Sequence, residues 1–147
     1  MIFDLHVQTI DELMRELNSL PNNFVFRGQS DAAWGLQSTL ERTLGGTWNA
    51  QSARKFEDYS LDVFKSKYHI YSGTEHLPKS KLSWLSVMQH YGVPTRLIDF
   101  TTSPYIALYF ALETYDPLSK KALSIYCLDY TAIMEKSIEY IKGKDKL

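Results

Sequence analysis

Ile10, Leu13, Met14, Leu17 and Leu20 recur at steps of three and four, and that spacing predicts an amphipathic helix across QTIDELMRELNSLP. Thr9 and Glu12 stand at capping-box spacing at its start, and Pro21 with the two asparagines after it ends it. The period then shortens. Phe24–Arg27 reads as a short strand, and Gly28 allows a sharp exit from it, with positive φ open to the glycine. AAWGLQSTLERTLGGTW predicts a loop and a short helix ended by Gly45–Gly46. From about Asn49 to Tyr68 a longer helix is expected, with Phe56, Tyr59, Val63 and Phe64 at helical spacing. YSGTEHLPKS is turn material. KLSWLSVMQHYG predicts a helix with Leu82, Leu85, Met88 and Gln89 on one side, closed by Gly92.

Pro94 marks entry to a second strand, expected over Thr95–Thr102. Ser103 and Pro104 then form a helix start, serine as N-cap and proline at the first helical position. YIALYFALETY is apolar around most of its circumference, which predicts a core helix with Ile106, Ala107, Phe110 and Ala111 nearly fully buried. KALSIYCLDY reads as a third strand and TAIMEKSIEYIKG as a last helix ending near Gly143. Repeats, low-complexity segments and an interdomain linker are absent from the sequence. The pattern predicts an α+β fold, residues 1–147 forming one compact domain with helices packed on a small sheet.

Composition narrows the function classes. The 16 basic and 17 acidic residues leave a formal charge of -1, which argues against a general nucleic-acid surface while leaving room for a local basic pocket. Cys127 is the single cysteine, so neither an intrachain disulfide nor a cysteine-based zinc site can form. Ten tyrosines fit half-buried packing as well as a binding surface. The N-terminus lacks the basic and long apolar regions of a signal peptide. Tyr105–Leu112, the longest apolar run, is too short to span a bilayer. A cytoplasmic protein without membrane contact is the expectation.

The candidate chemistry lies in the charges on predicted strands. Alternation puts Thr95, Leu97, Asp99 and Thr101 on one face of the second strand and Arg96, Ile98, Phe100 and Thr102 on the other. Each face carries one charge among apolar residues, so on a central strand Arg96 and Asp99 would both be at least partly buried, and buried ions need partners. Arg27 poses the same problem. In one reading Arg27 or Arg96 pairs with Asp99 and the arrangement is structural. In the other, a guanidinium remains free to grip a phosphate or carboxylate at two points. Thr101, Thr102 and Ser103 lie where strand passes to helix, and arginine, hydroxyls and a helix N-terminus would together make an anion cradle. Gln29, just beyond Gly28, is a further candidate for ligand contact. His90, ending the preceding helix, reads as a cap or as a ligand-binding group. His69 and His76 lack metal-ligand spacing, and the sequence holds no paired-carboxylate, Gly-rich-loop or nucleophile-elbow signature.

FVFRGQSDAAWGLQSTLER and WLSVMQHYGVPTRLIDFTTSPYIALYFAL resemble the FRG domain family, named for the tripeptide found here as Phe26-Arg27-Gly28. In the second stretch Gln89, His90, Tyr91, Gly92, Pro94, Thr95, Arg96, Leu97, Asp99 and Thr101 match the family pattern. The resemblance implies a bacterial or phage protein and leaves its activity open. A more distant similarity is to arginine-specific ADP-ribosyltransferases. These carry an aromatic-Arg-Gly on an early strand and a Ser-Thr-Ser strand end before an apolar helix. FRG is similar to the first, and DFTTSPYIALYFA, with Thr101, Thr102 and Ser103, to the second.

That similarity implies a reduced ADP-ribosyltransferase-like fold and NAD as ligand. Arg27 would contact the phosphates, Thr101–Ser103 would shape the nicotinamide-ribose pocket, and His90 would bond ribose hydroxyls. The transferases also need a late glutamate on a strand, whereas Glu135 and Glu139 fall on the predicted last helix. No catalytic residue is therefore assigned. Two function classes stay open: a module that binds a nucleotide or a protein partner in a defence or toxin system, and an active NAD-dependent transferase or glycohydrolase.

Overall fold

A computed structural model describes residues 4–72 and 77–144. His76 and part of the predicted turn around it lie outside the described residues. In chain order the elements are α1 (Ile10–Ser19), β1 (Phe24–Gln29), α2 (Thr39–Leu44), α3 (Ala50–Lys67), α4 (His69–Ser72), α5 (Lys81–His90), α6 (Pro104–Glu113), β2 (Ser124–Asp129) and α7 (Tyr130–Lys144). This is an α+β protein with a small antiparallel sheet. No helix among the described residues is long and apolar enough to cross a membrane. The chain divides into two units, Met1–Trp34 with Asp99–Leu147, and Gly35–Ile98.

The first unit is built on the ribbon of β1 and β2, in register from Phe24 opposite Asp129 to Gln29 opposite Ser124. Phe26, on one face, joins Leu17 of α1 and Ala107 of α6 in an apolar cluster, with Leu13, Met14, Ile125 and Cys127 packed around it. Thr9 caps α1 as its spacing predicts, accepting from the Glu12 N–H at 3.2 Å. Glu12 reaches back to the Gln8 N–H at 3.0 Å. Ile10, assigned to the apolar stripe, is exposed instead.

Helix α6 crosses β1 closely. Its contact face is Ala107 and Ala111, both fully buried as expected, whereas Ile106 and Phe110 are about half exposed. The all-round apolar sequence overstated its burial because small residues alone meet the strand. Gly28 explains the closeness. It lies inside β1, its φ is not positive, and a Cβ there would overlap the Ala107 carbonyl oxygen and sit 2.8 Å from the Ala111 nitrogen. The glycine is thus required by helix approach rather than by a sharp exit, and β1 runs on to Gln29.

In the second unit α3 and α5 share a core of Leu61, Phe64, Tyr68, Leu85 and Met88. The buried face of α3 is Ala53, Glu57, Leu61 and Phe64, rotated from the predicted one, and Tyr59 is exposed. Leu82 is also exposed, while Leu85 and Met88 are buried. Gly92 closes α5 as expected. At φ 77 it lets its own N–H reach the Gln89 carbonyl (2.9 Å) and the Val93 N–H reach that of Met88 (2.9 Å). This is the paired bonding of a Schellman cap.

The predicted strand Thr95–Thr102 does not form. Only Thr101 makes a bridge, with Phe26, through backbone bonds of 2.7 and 2.9 Å. Local bonding withdraws the rest of the segment from a ladder. The Thr95 hydroxyl accepts from the Leu97 N–H at 3.3 Å and donates to Gln89 Oε1 at 2.6 Å. The Thr95 carbonyl takes the Leu40 N–H at 3.0 Å.

Candidate functional site

A cavity of ≈ 310 Å³ opens in the first unit, lined by Phe26, Arg27, Gly28, Asp99, Phe100, Thr101, Ala107 and Phe110. Its walls follow from the fold. The Phe26–Thr101 bridge lays the 99–101 segment along β1, and the side-chain-free Gly28 lets α6 close over the strand. Phenylalanines from β1, α6 and the segment before Thr101 supply apolar surface, and Arg27 supplies the positive charge.

Arg27 is half-buried. Its Nη1 donates to the backbone carbonyl of Asp99 at 2.9 Å. Arg27 Nε is buried with no hydrogen-bond partner. A buried donor without an acceptor costs about 1–3 kcal/mol. Thr101 Oγ1 accepts the Ser103 N–H at 3.1 Å, which leaves its own O–H available to donate. Ser103 stands at the N-cap of α6 but makes no side-chain capping bond. Thr102 is exposed, and neither Thr102 nor Ser103 lines the cavity. The predicted cradle is therefore reduced to Arg27 and Thr101.

Alternation turns Gln29 to the opposite face of β1 from Phe26 and Gly28. Gln29 is buried, and its Oε1 lacks a partner, as does the Oγ of Ser124, opposite it in the ribbon. Around the end of β1, Thr114 donates to Ser30 at 2.8 Å, and Lys121 Nζ lies 2.7 Å from Asp31 Oδ2. That Lys121 hydrogen bond, with a second from the Ala33 N–H, holds the Asp31 carboxyl below its ordinary value. Burial pushes the Cys127 thiol up, as suits a packing residue rather than a nucleophile.

His90 and Arg96 belong to the second unit. His90 is exposed, its ring edge-on to Tyr91 at 5.5 Å between centroids. Arg96 is not buried on a strand face; its side chain is 51% exposed. Its partner is Glu57, not Asp99: Nε and Nη2 grip the two carboxylate oxygens, the second at 2.8 Å. Lys81 Nζ adds a contact of 3.1 Å to Glu57 and one of 2.8 Å to Asp58. The Lys81 hydrogen bond lowers the Asp58 pKa, while bonds to Asp58 and Glu57 raise that of Lys81. Glu57 is fully buried, and sequence reasoning passed over it. The available signal was a carboxylate set four residues from both Ala53 and Leu61 on the inner face of α3.

Among the described residues no group of histidine, cysteine and carboxylate side chains could hold a metal ion. Glu135 and Glu139 lie on α7 and do not line the cavity.

A Phe-Arg-Gly strand paired in a two-stranded ribbon, crossed by an alanine-faced helix and flanked by a cavity, defines a small α+β module. The FRG domain model matches residues 22–120, well over half of the chain, and the protein belongs to the FRG domain family. No curated protein and no solved structure matches it. The likeness to ADP-ribosyltransferases gains no support from these comparisons.

Proposed function

We propose that the cavity beside β1 binds a small anionic ligand with a flat ring, of the nucleotide class, and that NAD is the first candidate. The observation that carries this reading is the Arg27 guanidinium among the residues that line a largely apolar cavity. The Nη1 bond to the Asp99 carbonyl holds the guanidinium in place, so little rotamer entropy is lost when a phosphate or carboxylate arrives. Phe100 and Phe110 offer ring faces and Thr101 a hydroxyl donor. At ≈ 310 Å³ the space is at the small end of ligand pockets, suited to one nucleotide half of a dinucleotide with the other half reaching into solvent. When bound, NAD would supply a cleavable nicotinamide–ribose bond. Arg27 would bind and orient the phosphate, and the phenylalanines would exclude water. Of the lining residues Asp99 alone carries a carboxylate, and no residue is assigned to bond cleavage. The role is binding rather than turnover.

Isothermal titration with NAD, ADP-ribose, AMP and inorganic phosphate tests the reading. Binding of at least one nucleotide, weakened about tenfold or more in a folded Arg27→Lys variant, supports it. Absence of binding by all four at millimolar ligand, or equal binding by parent and variant, overturns it. A nicotinamide-release assay on the same protein separates binding from turnover.

A further inference from the structure

Beside β1, on the edge away from β2, the backbone ladder stops after a single pair. Phe26 and Thr101 exchange both bonds, the Phe26 N–H reaching the Thr101 carbonyl at 2.7 Å and the Thr101 N–H the Phe26 carbonyl at 2.9 Å. In an antiparallel ladder the next such pair lies two residues along each chain, which here is Gly28 with Asp99. Alternation turns the N–H and C=O of Gly28 the same way as those of Phe26, toward the 99–101 segment. Among the described residues that second pair is not made. The Asp99 carbonyl takes Arg27 Nη1 instead, at 2.9 Å. The cavity opens at the unmade pair: Gly28 and Asp99 both line it, with Phe26 and Thr101 beside them.

We propose that Arg27 is a strut that keeps this cavity open. Its guanidinium occupies the carbonyl that would otherwise accept the Gly28 N–H, and so holds the 99–101 segment off β1 where it would zip on as a third strand. Strength favours the strut, because a bond from a guanidinium is charge-assisted and outcompetes one from a neutral backbone N–H. Position favours it too. Arg27 stands between Phe26, whose pair is made, and Gly28, whose pair is not. The segment itself is suited to a strand. Ile98-Asp99-Phe100-Thr101 carries β-branched and aromatic residues, and Thr101 is already in register. Without the guanidinium, pairing Gly28 with Asp99 satisfies the Asp99 carbonyl and the Gly28 N–H together. The ladder then runs on and the cavity narrows. Arg27 thus sets the aperture of the cavity whatever enters it, a role separate from its contact with a nucleotide.

Amide hydrogen exchange of the full chain, read residue by residue by nuclear magnetic resonance, tests the strut. In the parent the Phe26 and Thr101 amides should be protected, and the Gly28 amide should exchange at least about tenfold faster than either. In Arg27→Met, with folding confirmed by circular dichroism, Gly28 should slow about tenfold or more while Phe26 and Thr101 stay protected. Loss of a merely structural arginine has the opposite sign, with faster exchange at all three positions. A Gly28 amide as slow as that of Phe26 in the parent overturns the proposal, and that arm needs no variant. So does a Gly28 amide that exchanges in Arg27→Met as fast as in the parent, or faster. A parent that binds no nucleotide but shows this exchange pattern keeps the strut and loses only the ligand.

Discussion

Arg96→Met removes the guanidinium that neutralises a fully buried carboxylate while keeping much of the side chain's apolar length. Glu57 is 0% exposed, and Arg96 holds both of its oxygens. Stripping one partner from a buried pair costs about 3–5 kcal/mol, chiefly because the remaining charge is left desolvated. Two features pull the value toward the lower end. Lys81 stays within 3.1 Å of Glu57, and Arg96 is itself half exposed, so part of its charge is screened by solvent. A loss of about 3 kcal/mol is expected, equivalent to a melting shift of roughly 6–12 °C for a chain of this size. Urea titration followed by far-ultraviolet circular dichroism measures it. Glu57→Gln/Arg96→Met removes both charges and should recover at least about 1 kcal/mol relative to Arg96→Met alone. A cost below about 1 kcal/mol for Arg96→Met, or a double variant no better than the single, would refute the argument that an uncompensated Glu57 charge is the source of the loss.

Gly28→Ala places a methyl into the Ala107 carbonyl, a backbone obstacle that no rotamer change relieves, so it should cost about 3 kcal/mol or more by urea titration. An effect within about 0.5 kcal/mol, the ordinary size for a surface substitution, would mean that α6 can slide away from β1. Thr95→Val removes a fully buried hydroxyl that donates to Gln89 and accepts from the Leu97 N–H, with an expected loss of about 1–2 kcal/mol at nearly unchanged volume. Asp31 and Asp58 both titrate below their ordinary value of 3.8 because Lys121 and Lys81 hydrogen-bond them. Their contribution is complete above that value and is lost as pH falls below it through the depressed folded values, so Asp31→Asn should flatten that acid limb of the melting profile. For Lys81, raised above 10.5, the contribution is present below that value and is lost as pH climbs through the higher folded one.

Local chemistry made much of the secondary structure legible. Thr9 with Glu12, the Gly92 turn and the Ser103-Pro104 start mark helix ends through groups only a few residues apart, and each helix stands where these signals put it. The strands around Phe-Arg-Gly and SIYCLD were equally plain. So was the drawing together of Arg27, Asp99 and Thr101, since polar groups on apolar segments must meet something. What each polar group meets is a question of long-range placement, and periodicity carries no information about it. Thr95–Thr102 alternates like a strand, but its hydrogen bonds go to Gln89, Leu40 and its own Leu97, which only the assembled second unit brings within reach. Arg96 finds a glutamate 39 positions away. Gly28 looks like a turn residue until α6 is laid across it. Caps and turns are written in neighbouring residues, whereas a charge's partner and a glycine's purpose depend on which backbone arrives beside them.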